Sequence, residues 1–464
     1  MSDPYAQLIS RKLALTAPTG LSIIPELPAG LFPHQDALTR WALRRGRCAI
    51  FADTGLGKTR MQLAWASVIH QVTGLDILIL APLAVAAQTV AEGASLGINV
   101  TLCRDGADVR SGINITNYDR LHRFDTRRFG GVVLDESSCI KHHDSKTLQL
   151  LMESFAHAAY KLCATATPAP NDWTELGTHA EFLGICKRVE MLSEFFVHDG
   201  GETQVWRLKG HARHLFWRWV ATWGAMVRSP ADLGYDASAY ELPPLHVHER
   251  IVESPPNASG MLFELEAQTL SERRNARRSS IDNRVSACAA VVNAEPDEAW
   301  VIWCDLNAEG DALTAAISGA VQVAGVDDID TKEDRLYRFA GGDFKTLVSK
   351  SSICGWGCNW QHCARMAFVG VTDSYEAYYQ AVRRSWRFGQ IRPVHIYVFA
   401  SEAEGAVVAN LRRKERDAIS MAESLSGETR EAVRMEVSGS IRHTNTYDAS
   451  KRIAPPRWLT TESA

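Results

Sequence analysis

A glycine-rich turn followed by a Lys-Thr pair is the strongest chemical signal in the sequence. It occurs in AIFADTGLGKTR, where Gly55 and Gly57 precede Lys58 and Thr59. Such glycines let backbone N–H groups approach phosphate oxygens, the lysine neutralises the outer phosphates, and the threonine hydroxyl is a ligand for magnesium. The usual pattern begins with glycine, for which Ala52 is a common variant, and the alternative is an ordinary turn before a helix. The residues predicted to bind a nucleoside triphosphate here are Asp53, Thr54, Gly55, Leu56, Gly57, Lys58, Thr59 and Arg60.

Two adjacent carboxylates form the second signal. Asp135 ends the apolar segment GGVVLD, about 77 residues after the lysine of the glycine-rich turn, and Glu136 follows it. Asp135 is predicted to hold Mg²⁺, together with Thr59, and Glu136 to accept a proton from an attacking water. Taken alone, an Asp-Glu pair after a strand is as often the solvated start of a helix. Combined with the phosphate turn, it predicts phosphoryl transfer.

Later segments supply hydroxyl groups and arginines. ATATPAPN places Thr165 and Thr167 after a predicted strand, where they could sense the outermost phosphate; the alternative is a plain turn. QAVRRSWRFGQ places Arg384 and Arg387 three residues apart, hence on one face of a predicted helix. An arginine that reaches across a cleft can accelerate phosphoryl transfer about a thousandfold. Arginine clusters on helices are otherwise usually solvated.

Other polar clusters are less specific. In LFPHQ, the Gln35 amide can both donate to and accept from an adenine edge, and Phe32 is available to stack. Two Cys/His clusters lack the paired C-x-x-C spacing of zinc sites, so we interpret them as loops. They consist of Cys354, Cys358, His362 and Cys363, and of Cys139, His142 and His143.

The elements that must position these residues are apolar segments bounded by Gly, Pro or Asp, with helix-like segments between them. This alternation predicts an α/β fold with mostly parallel sheets, in which ligands bind at the carboxyl ends of strands. Each candidate residue above follows such a segment or opens the next helix. The predicted strands are residues 76–83, 131–135, 161–166, 300–305, 344–349, 366–371 and 394–400.

Length and composition predict a folded protein of more than one domain. The chain has 464 residues, with 46% hydrophobic and 22% charged, close to average globular usage. No run approaches 18 apolar residues, the start lacks a signal-peptide pattern, and ten cysteines are scattered. We therefore expect no membrane association and a cytoplasmic location. The net charge of −4 decides nothing about nucleic acid, which binds local basic grooves.

The order of these motifs resembles that of the Swi/Snf-type branch of superfamily-two helicases and DNA translocases, especially compact phage or prophage versions. LFPHQ resembles the Q motif, DTGLGKT motif I, LILAPLAVAAQ motif Ia, ITNYDRL motif Ib and LDESSCIK motif II. ATATPAPN resembles motif III, SKSSICGWGCNWQ motif V and QAVRRSWRFGQ motif VI, so the similarity spans roughly residues 30–400. Ser138 stands where many relatives have histidine, and Arg383 where chromatin remodellers often carry an acid.

The resemblance implies two RecA-like lobes, each a parallel sheet flanked by helices, with ATP and Mg²⁺ between them. Gln35 would read adenine, and Gln380 would bind the nucleotide and help to couple the lobes. The resemblance to phage and prophage versions also implies a bacterial or phage-infected host cell. We expect a first lobe in residues 1–245 with a helical, Trp-rich extension over about 180–240, a connecting strand and basic linker in 246–297, a second lobe in 298–420 and a polar tail in 421–464. The residues that would couple ATP to nucleic acid are Asn117, Tyr118, Thr165, Thr167, Ser349, Gly355, Gly357 and Asn359.

The predicted function is a nucleic-acid-dependent ATPase that translocates on DNA, with duplex favoured over single strands, and RNA less expected. Phosphate contacts would give weak sequence preference and strong salt dependence. Candidate contacts are the Asn117–Tyr118 turn, residues 349–352 and the basic run 273–284, whose alternative is a solvated helix face. Tryptophans 217, 219 and 223 are predicted to pack the lobe. The alternatives are a strand-separating helicase and a nucleotide-gated scaffold in a phage replication or defence assembly.

Overall fold

The computed structural model describes most of the chain between residues 17 and 401, together with a few residues near the C-terminus. The ranges are 17–82, 85–141, 143–169, 172–198, 206–252, 277–354, 360–370, 375–401, 412–413, 416, 427, 429–431 and 433–438. Within these ranges, helices alternate with strands in two parallel sheets, so the predicted α/β class with two RecA-like lobes is confirmed.

The first lobe is built on a parallel sheet whose strand order is β3-β4-β2-β5-β6-β1-β9. Its central strands are apolar and buried along almost their whole length, as is typical of a sheet covered by helices on both faces. The strands are β1 (Arg47–Ala52), β2 (Asp76–Ala81), β3 (Val100–Leu102), β4 (Ile113–Asn117), β5 (Phe129–Asp135), β6 (Tyr160–Thr165), an antiparallel hairpin β7 (Phe196–His198) and β8 (Trp206–Leu208), and β9 (Gly224–Val227). The helices are Pro33–Arg45, Lys58–Thr73, Ala86–Ser95, Lys146–Ser154, Leu176–Leu183, Arg188–Phe195 and Arg213–Ala221.

The second lobe is built on another parallel sheet, with strand order β10-β15-β14-β11-β13-β12. Strand β10 lies at its edge and pairs with β15 over eight residues, from Leu245↔Val394 to Val252↔Ser401. The strands are β10 (Leu245–Val252), β11 (Trp300–Cys304), β12 (Ala320–Val323), β13 (Thr346–Lys350), β14 (Arg365–Val369) and β15 (Val394–Ser401). The helices are Ile281–Asn293, Asn307–Ala316, Ile329–Gly341, Ser351–Cys354 and Tyr375–Val382.

All seven predicted strands are present, and their ends differ from the prediction by at most two residues. The sequence did not reveal β9, because its residues Gly224–Val227 come only two residues after the aromatic helix Arg213–Ala221 and are themselves apolar. Tertiary pairing decides the conformation here, since β9 lies beside β1. The edge strand β9 therefore flanks the strand that leads into the glycine-rich turn.

The tryptophans of the aromatic segment pack inside the first lobe, as predicted. Trp217 and Trp223 are buried, and Trp219 is half-buried with its ring 5.3 Å from that of Trp223. Phe216 lies between this group and the hairpin, 5.4 Å from Phe196. These rings hold the hairpin and its neighbouring helices against the sheet.

The described part of the basic run stabilises the second lobe. Arg284 is fully buried and pairs at 2.8 Å with Glu309, which is also fully buried. Arg277 is nearly buried and pairs with Asp305. The hypothesis that this run grips phosphates is therefore wrong for Arg284, and so is its alternative, a solvated face. A buried guanidinium needs a partner, and the carboxylate of Glu309 meets that need while it accepts from the backbone N–H of Asp305.

A short C-terminal segment packs on the first lobe, which its polar composition did not indicate. Val433 and Val437 are buried in the core formed by one face of the first sheet and its helices. Arg430 pairs at 2.9 Å with Asp232, just after β9, and Glu436 pairs with Arg45. Val433 and Val437 therefore belong to the core of the first lobe, although they lie far beyond it in the sequence. The domain boundaries themselves stay predictions.

Within the part of the chain that the structure describes, no helix has the length and apolar character that crossing a membrane requires.

Candidate active site

The glycine-rich turn joins β1 to the helix Lys58–Thr73 in a conformation that requires glycine. Gly55 and Gly57 have φ angles of 92° and 80°, in the left-handed region. A Cβ on Gly57 would lie 2.1 Å from the Gln35 amide nitrogen, and one on Gly55 would lie 2.9 Å from Cβ of Phe388. The turn is therefore tightly packed against both lobes. Lys58 Nζ donates to the carbonyl of Ala52 at 3.0 Å, which holds the ammonium beside the turn.

Gln35 ties the N-terminal helix to this turn. Its Oε1 accepts from the backbone N–H of Phe32 at 3.0 Å, and its Nε2 donates to the carbonyl of Leu56 at 3.1 Å. A glutamine amide has two donors and two acceptor lone pairs, so these bonds leave one donor and one acceptor for a base edge. Gln35 therefore lies beside the phosphate turn and contacts it through the carbonyl of Leu56. Its role towards adenine stays a prediction.

The carboxylate of Asp135 ends β5 at the floor of the cleft. It accepts from Gln62 Nε2 at 2.6 Å. Burial, and then the negative charge of Glu136, raises the pKa of Asp135 to about 6. Thr59, Asp135 and Glu136 line the same cleft. Such a donor set, a buried carboxylate beside a half-buried one with a nearby hydroxyl, fits a hard divalent cation that also binds phosphates.

Glu136 meets the threonine-rich turn that follows β6. Thr165 Oγ1 donates to Glu136 Oε2 at 3.3 Å, and the N–H of Thr167 donates to Thr165 Oγ1 at 3.1 Å. The two segments come from neighbouring strands of the sheet, since β5 pairs with β6. Thr165 is therefore placed to respond to changes at the carboxylate.

Two arginines enter the cleft from the second lobe. Arg384 and Arg387 line it opposite the carboxylates and the phosphate turn, although the described helix already ends at Val382. The expectation that they share a helix face is therefore wrong. Beyond Val382 the chain tightens into turns, because Trp386 Nε1 donates to the carbonyl of Pro243 at 2.7 Å and Gln390 Nε2 donates to that of Ser385. These bonds anchor the turn, and both arginines still reach the cleft.

Asp53 joins the phosphate turn to the second lobe. Tyr379 OH donates to its Oδ1 at 2.6 Å, and Arg383 Nη2 lies 3.3 Å from its Oδ2. Burial acts to raise the pKa of Asp53, but the charge of Arg383 and the hydrogen bond from Tyr379 outweigh burial and hold that pKa below its usual value. Asp53 was predicted to bind nucleotide. In this structure its carboxylate binds Tyr379 and Arg383, and a role towards the nucleotide stays a prediction.

The segment that carries the phosphate turn and both carboxylates matches a known family model. Residues 34–220 match the model of the SNF2-related domain. This segment is an SNF2-related domain. The predicted resemblance to Swi/Snf-type proteins is thereby confirmed for the first lobe. Among solved structures, the Sulfolobus solfataricus SWI2/SNF2 ATPase core in complex with dsDNA is 16% identical, with a TM-score of 0.41, over 89% of this chain and 99% of that chain. No curated protein sequence matches the chain.

The SNF2-related domain holds two of the predicted coupling residues at the end of β4. Asn117 Oδ1 accepts from the N–H of Arg120 at 3.0 Å and so caps the 3-10 turn Tyr118–Arg123. Tyr118 OH donates to the carbonyl of Asp135 at 2.7 Å. The Asn117–Tyr118 turn is therefore in direct contact with the backbone of the carboxylate pair.

The remaining predicted residues have less direct relations to the cleft. Arg60 lines it but pairs with Glu92 at 3.1 Å. Gln380 is buried, and its carbonyl accepts from Arg384 Nε at 3.0 Å. Ser349 is buried, with its hydroxyl donating to the carbonyl of Val323 at 2.8 Å. The roles of Gln380 in coupling and of Ser349 at nucleic acid stay predictions. Outside the described residues lie Gly355, Gly357 and Asn359.

Neither Cys/His cluster is described in full. Cys358 and His142 lie outside the described residues. Cys363 is buried, and its thiol lies 3.1 Å from the carbonyls of Ala299 and Arg365. Among the described residues, no group of three or more His, Cys, Asp or Glu side chains could hold a metal ion.

Two aromatic residues of the cleft were missed by sequence reasoning. Tyr240 and Phe388 stack with ring centroids 4.6 Å apart, and Phe32 lies 6.3 Å from each of them. All three line the cleft beside Gln35 and the SNF2-related domain's phosphate turn. Phe388 could have been found, because it directly follows Arg387. Tyr240 has no local signal, since only the folded chain brings it to the site.

Proposed function

We propose that the protein is a motor that hydrolyses ATP in the cleft between its lobes and uses the cycle to move along duplex DNA. One observation carries the proposal. A single cleft of about 320 Å³ is lined by Lys58 and Thr59, by the carboxylates of Asp135 and Glu136, and by Arg384 and Arg387 from the other lobe. Positive charge, a base and a magnesium-binding set on opposing walls are what phosphoryl transfer needs.

Each wall of the cleft has its own task in hydrolysis. The N–H groups of the glycine-rich turn and Lys58 bind the phosphates. Thr59 and Asp135 would hold Mg²⁺, which neutralises charge on the phosphate oxygens when bound. Glu136 orients the attacking water and takes its proton, while Arg384 and Arg387 offset the charge that develops on the transferred phosphoryl.

Coupling to movement follows from the position of the arginines on a separate lobe. ATP draws the lobes together because its phosphates attract groups on both walls, and hydrolysis weakens that attraction. Asp53, which binds Tyr379 and Arg383, already joins the phosphate turn to the second lobe. If the two lobes hold a DNA backbone with different strength in the open and closed states, each cycle advances the protein.

The turn Tyr118–Arg123 supports DNA as the track. It carries basic Arg120, His122 and Arg123 at the carboxyl end of β4, and the last two are exposed. Basic side chains on a turn suit contacts to phosphates, which carry no sequence information directly. Because Tyr118 of the same turn binds the carbonyl of Asp135, a contact to DNA here would reach the carboxylate pair.

The proposal is tested by the rate of ATP hydrolysis with duplex DNA, single-stranded DNA, RNA or no nucleic acid. We expect duplex DNA to raise kcat most, with weak dependence on sequence and a stimulation that falls as salt rises. Lys58→Ala, purified in the same way, should remove the activity and so exclude a contaminating ATPase. A slow rate that no nucleic acid changes would contradict the motor and favour a nucleotide-gated scaffold.

Substitution of the stacked aromatic residues tests where adenine binds. Tyr240→Ala or Phe388→Ala should raise the KM for ATP about tenfold, because stacking of a base on an aromatic ring contributes on the order of 1–3 kcal/mol. Inhibition by inorganic tripolyphosphate, which has no base, should keep its strength. An equal loss of tripolyphosphate binding would show that the variants disturb the phosphate turn instead.

A further inference from the structure

The backbone of Glu136 has an unusual conformation. Its φ and ψ angles are 51° and 54°. Among the residues that the structure describes, Glu136 is the only non-glycine residue with a positive φ. A residue with a side chain loses on the order of 1–2 kcal/mol in the left-handed region. Such strain persists only where surrounding contacts over-determine it. The contacts on either side of Glu136 therefore matter for the place of its carboxylate in the cleft.

The contact before Glu136 is made by Tyr118. Its hydroxyl donates to the carbonyl of Asp135, at 2.7 Å, and this carbonyl belongs to the peptide that leads into Glu136. The bond fixes the orientation of this peptide plane.

The contact after Glu136 is made by His179. Its Nε2 lies 3.1 Å from the hydroxyl of Ser137, and both residues are fully buried. Burial lowers the pKa of His179 to about 4, so the ring is neutral at physiological pH. It packs edge-on against Phe51, with ring centroids 5.3 Å apart, and Phe51 lies on β1. The ring is thereby wedged between the strand of the phosphate turn and the residue that follows Glu136.

We propose that Tyr118 and His179 are positioning residues for the Glu136 carboxylate. They hold it in the cleft by fixing the peptide that precedes its left-handed backbone and the side chain of Ser137, the residue that follows it. The inference rests on the proposed ATP hydrolysis. It also gives the Asn117–Tyr118 turn a means to act on the hydrolytic site, because movement of Tyr118 moves the peptide that enters Glu136.

The test compares Tyr118→Phe and His179→Leu with wild type in kcat and KM for ATP. Each variant should lower kcat about tenfold to a hundredfold, because displacement of a catalytic group by about 1 Å costs on that order. The KM should change less than twofold, since the phosphate turn, Gln35 and the arginines keep their places. His179→Gln, whose amide can occupy the position of Nε2, should recover most of kcat.

Matched controls lie at the amino-terminal ends of two strands of the same sheet, away from Glu136. Tyr160 begins β6, and His157 Nε2 lies 3.1 Å from the carbonyl of Phe129 at the start of β5. Tyr160→Phe and His157→Leu remove the same chemical groups without reaching Glu136, so kcat should stay within twofold of wild type.

A second background separates positioning from loss of structure. In Glu136→Gln, single-turnover hydrolysis should not fall further when Tyr118→Phe or His179→Leu is added, because the carboxylate to be positioned is gone. A further fall, an equal loss in His179→Gln, or a parallel rise in KM would overturn the inference. If the wild type hydrolyses ATP and the variants are unchanged, only the positioning inference is overturned. If the wild type does not hydrolyse ATP, the proposed function is overturned as well.

Discussion

Glu136→Gln is expected to lower kcat for ATP by about a hundredfold to ten-thousandfold, the contribution of a positioned general base. Glutamine has nearly the same shape as glutamate but cannot take a proton from the attacking water. The affinity for ATP should be retained or increased, because a negative charge near the phosphates is removed while Lys58 and the glycine-rich turn are unchanged. Single-turnover hydrolysis and equilibrium binding of a fluorescent ATP analogue measure the two effects separately.

Glu92 provides the matched control for this substitution. It lines the same cleft, but its carboxylate pairs with Arg60 at 3.1 Å. Glu92→Gln should leave kcat within about threefold of wild type, because a half-exposed ion pair contributes little. If both glutamine variants reduce kcat equally, the effect is one of overall charge in the cleft and Glu136 is not the base.

The fold could be predicted because strands in parallel sheets have a strong local signal. In the strand Asp76–Ala81, for example, every residue after Asp76 is apolar and buried, and burial on both faces follows from the helices that cover the sheet. The positions of Lys58, Asp135 and Glu136 were predictable for a related reason. Asp135 ends such a strand, Glu136 follows it, and Lys58 opens the helix after another strand. The carboxyl ends of parallel strands meet at one edge, so their position in space follows from their position in the sequence.

Contacts between distant segments could not be predicted in this way. Nothing near Tyr240 indicates a nucleotide site, and nothing near His179 indicates that its ring contacts the residue after Glu136. The pairing of Asp53 with Arg383 depends on how two lobes meet, 330 residues apart in the chain. Arg284 shows the same limit. A basic run in the sequence indicates a solvated helix face, and only the folded chain shows that Arg284 has Glu309 as a buried partner.

Removal of an arginine from the second lobe should have the other large effect. Arg387→Ala and Arg384→Ala are each expected to lower kcat about a thousandfold, the lower end of the range for an arginine that offsets charge on a transferred phosphoryl. Both side chains line the cleft, so each is placed to meet the phosphates when ATP binds. Lysine should restore little, because it lacks the planar fork that contacts two oxygens at once. Stopped-flow measurement of phosphate release in single turnovers gives the rate.

Arg383 is the control that separates this role from the folding of the turn. It lies directly before Arg384, but its guanidinium pairs with Asp53 and stacks over the rings of Tyr379 and Trp386, 5.1 and 4.7 Å away. We expect Arg383→Ala to weaken the join between the lobes, which raises the KM for ATP several-fold, while kcat falls less than about tenfold. Equal losses of kcat for all three arginine variants would mean that the turn has lost its structure, and would contradict a specific role for Arg384 and Arg387. Larger losses of kcat for Arg384→Ala and Arg387→Ala than for Arg383→Ala would instead assign the first two arginines to the phosphates. Arg383 would then be the arginine that holds the two lobes together before ATP binds.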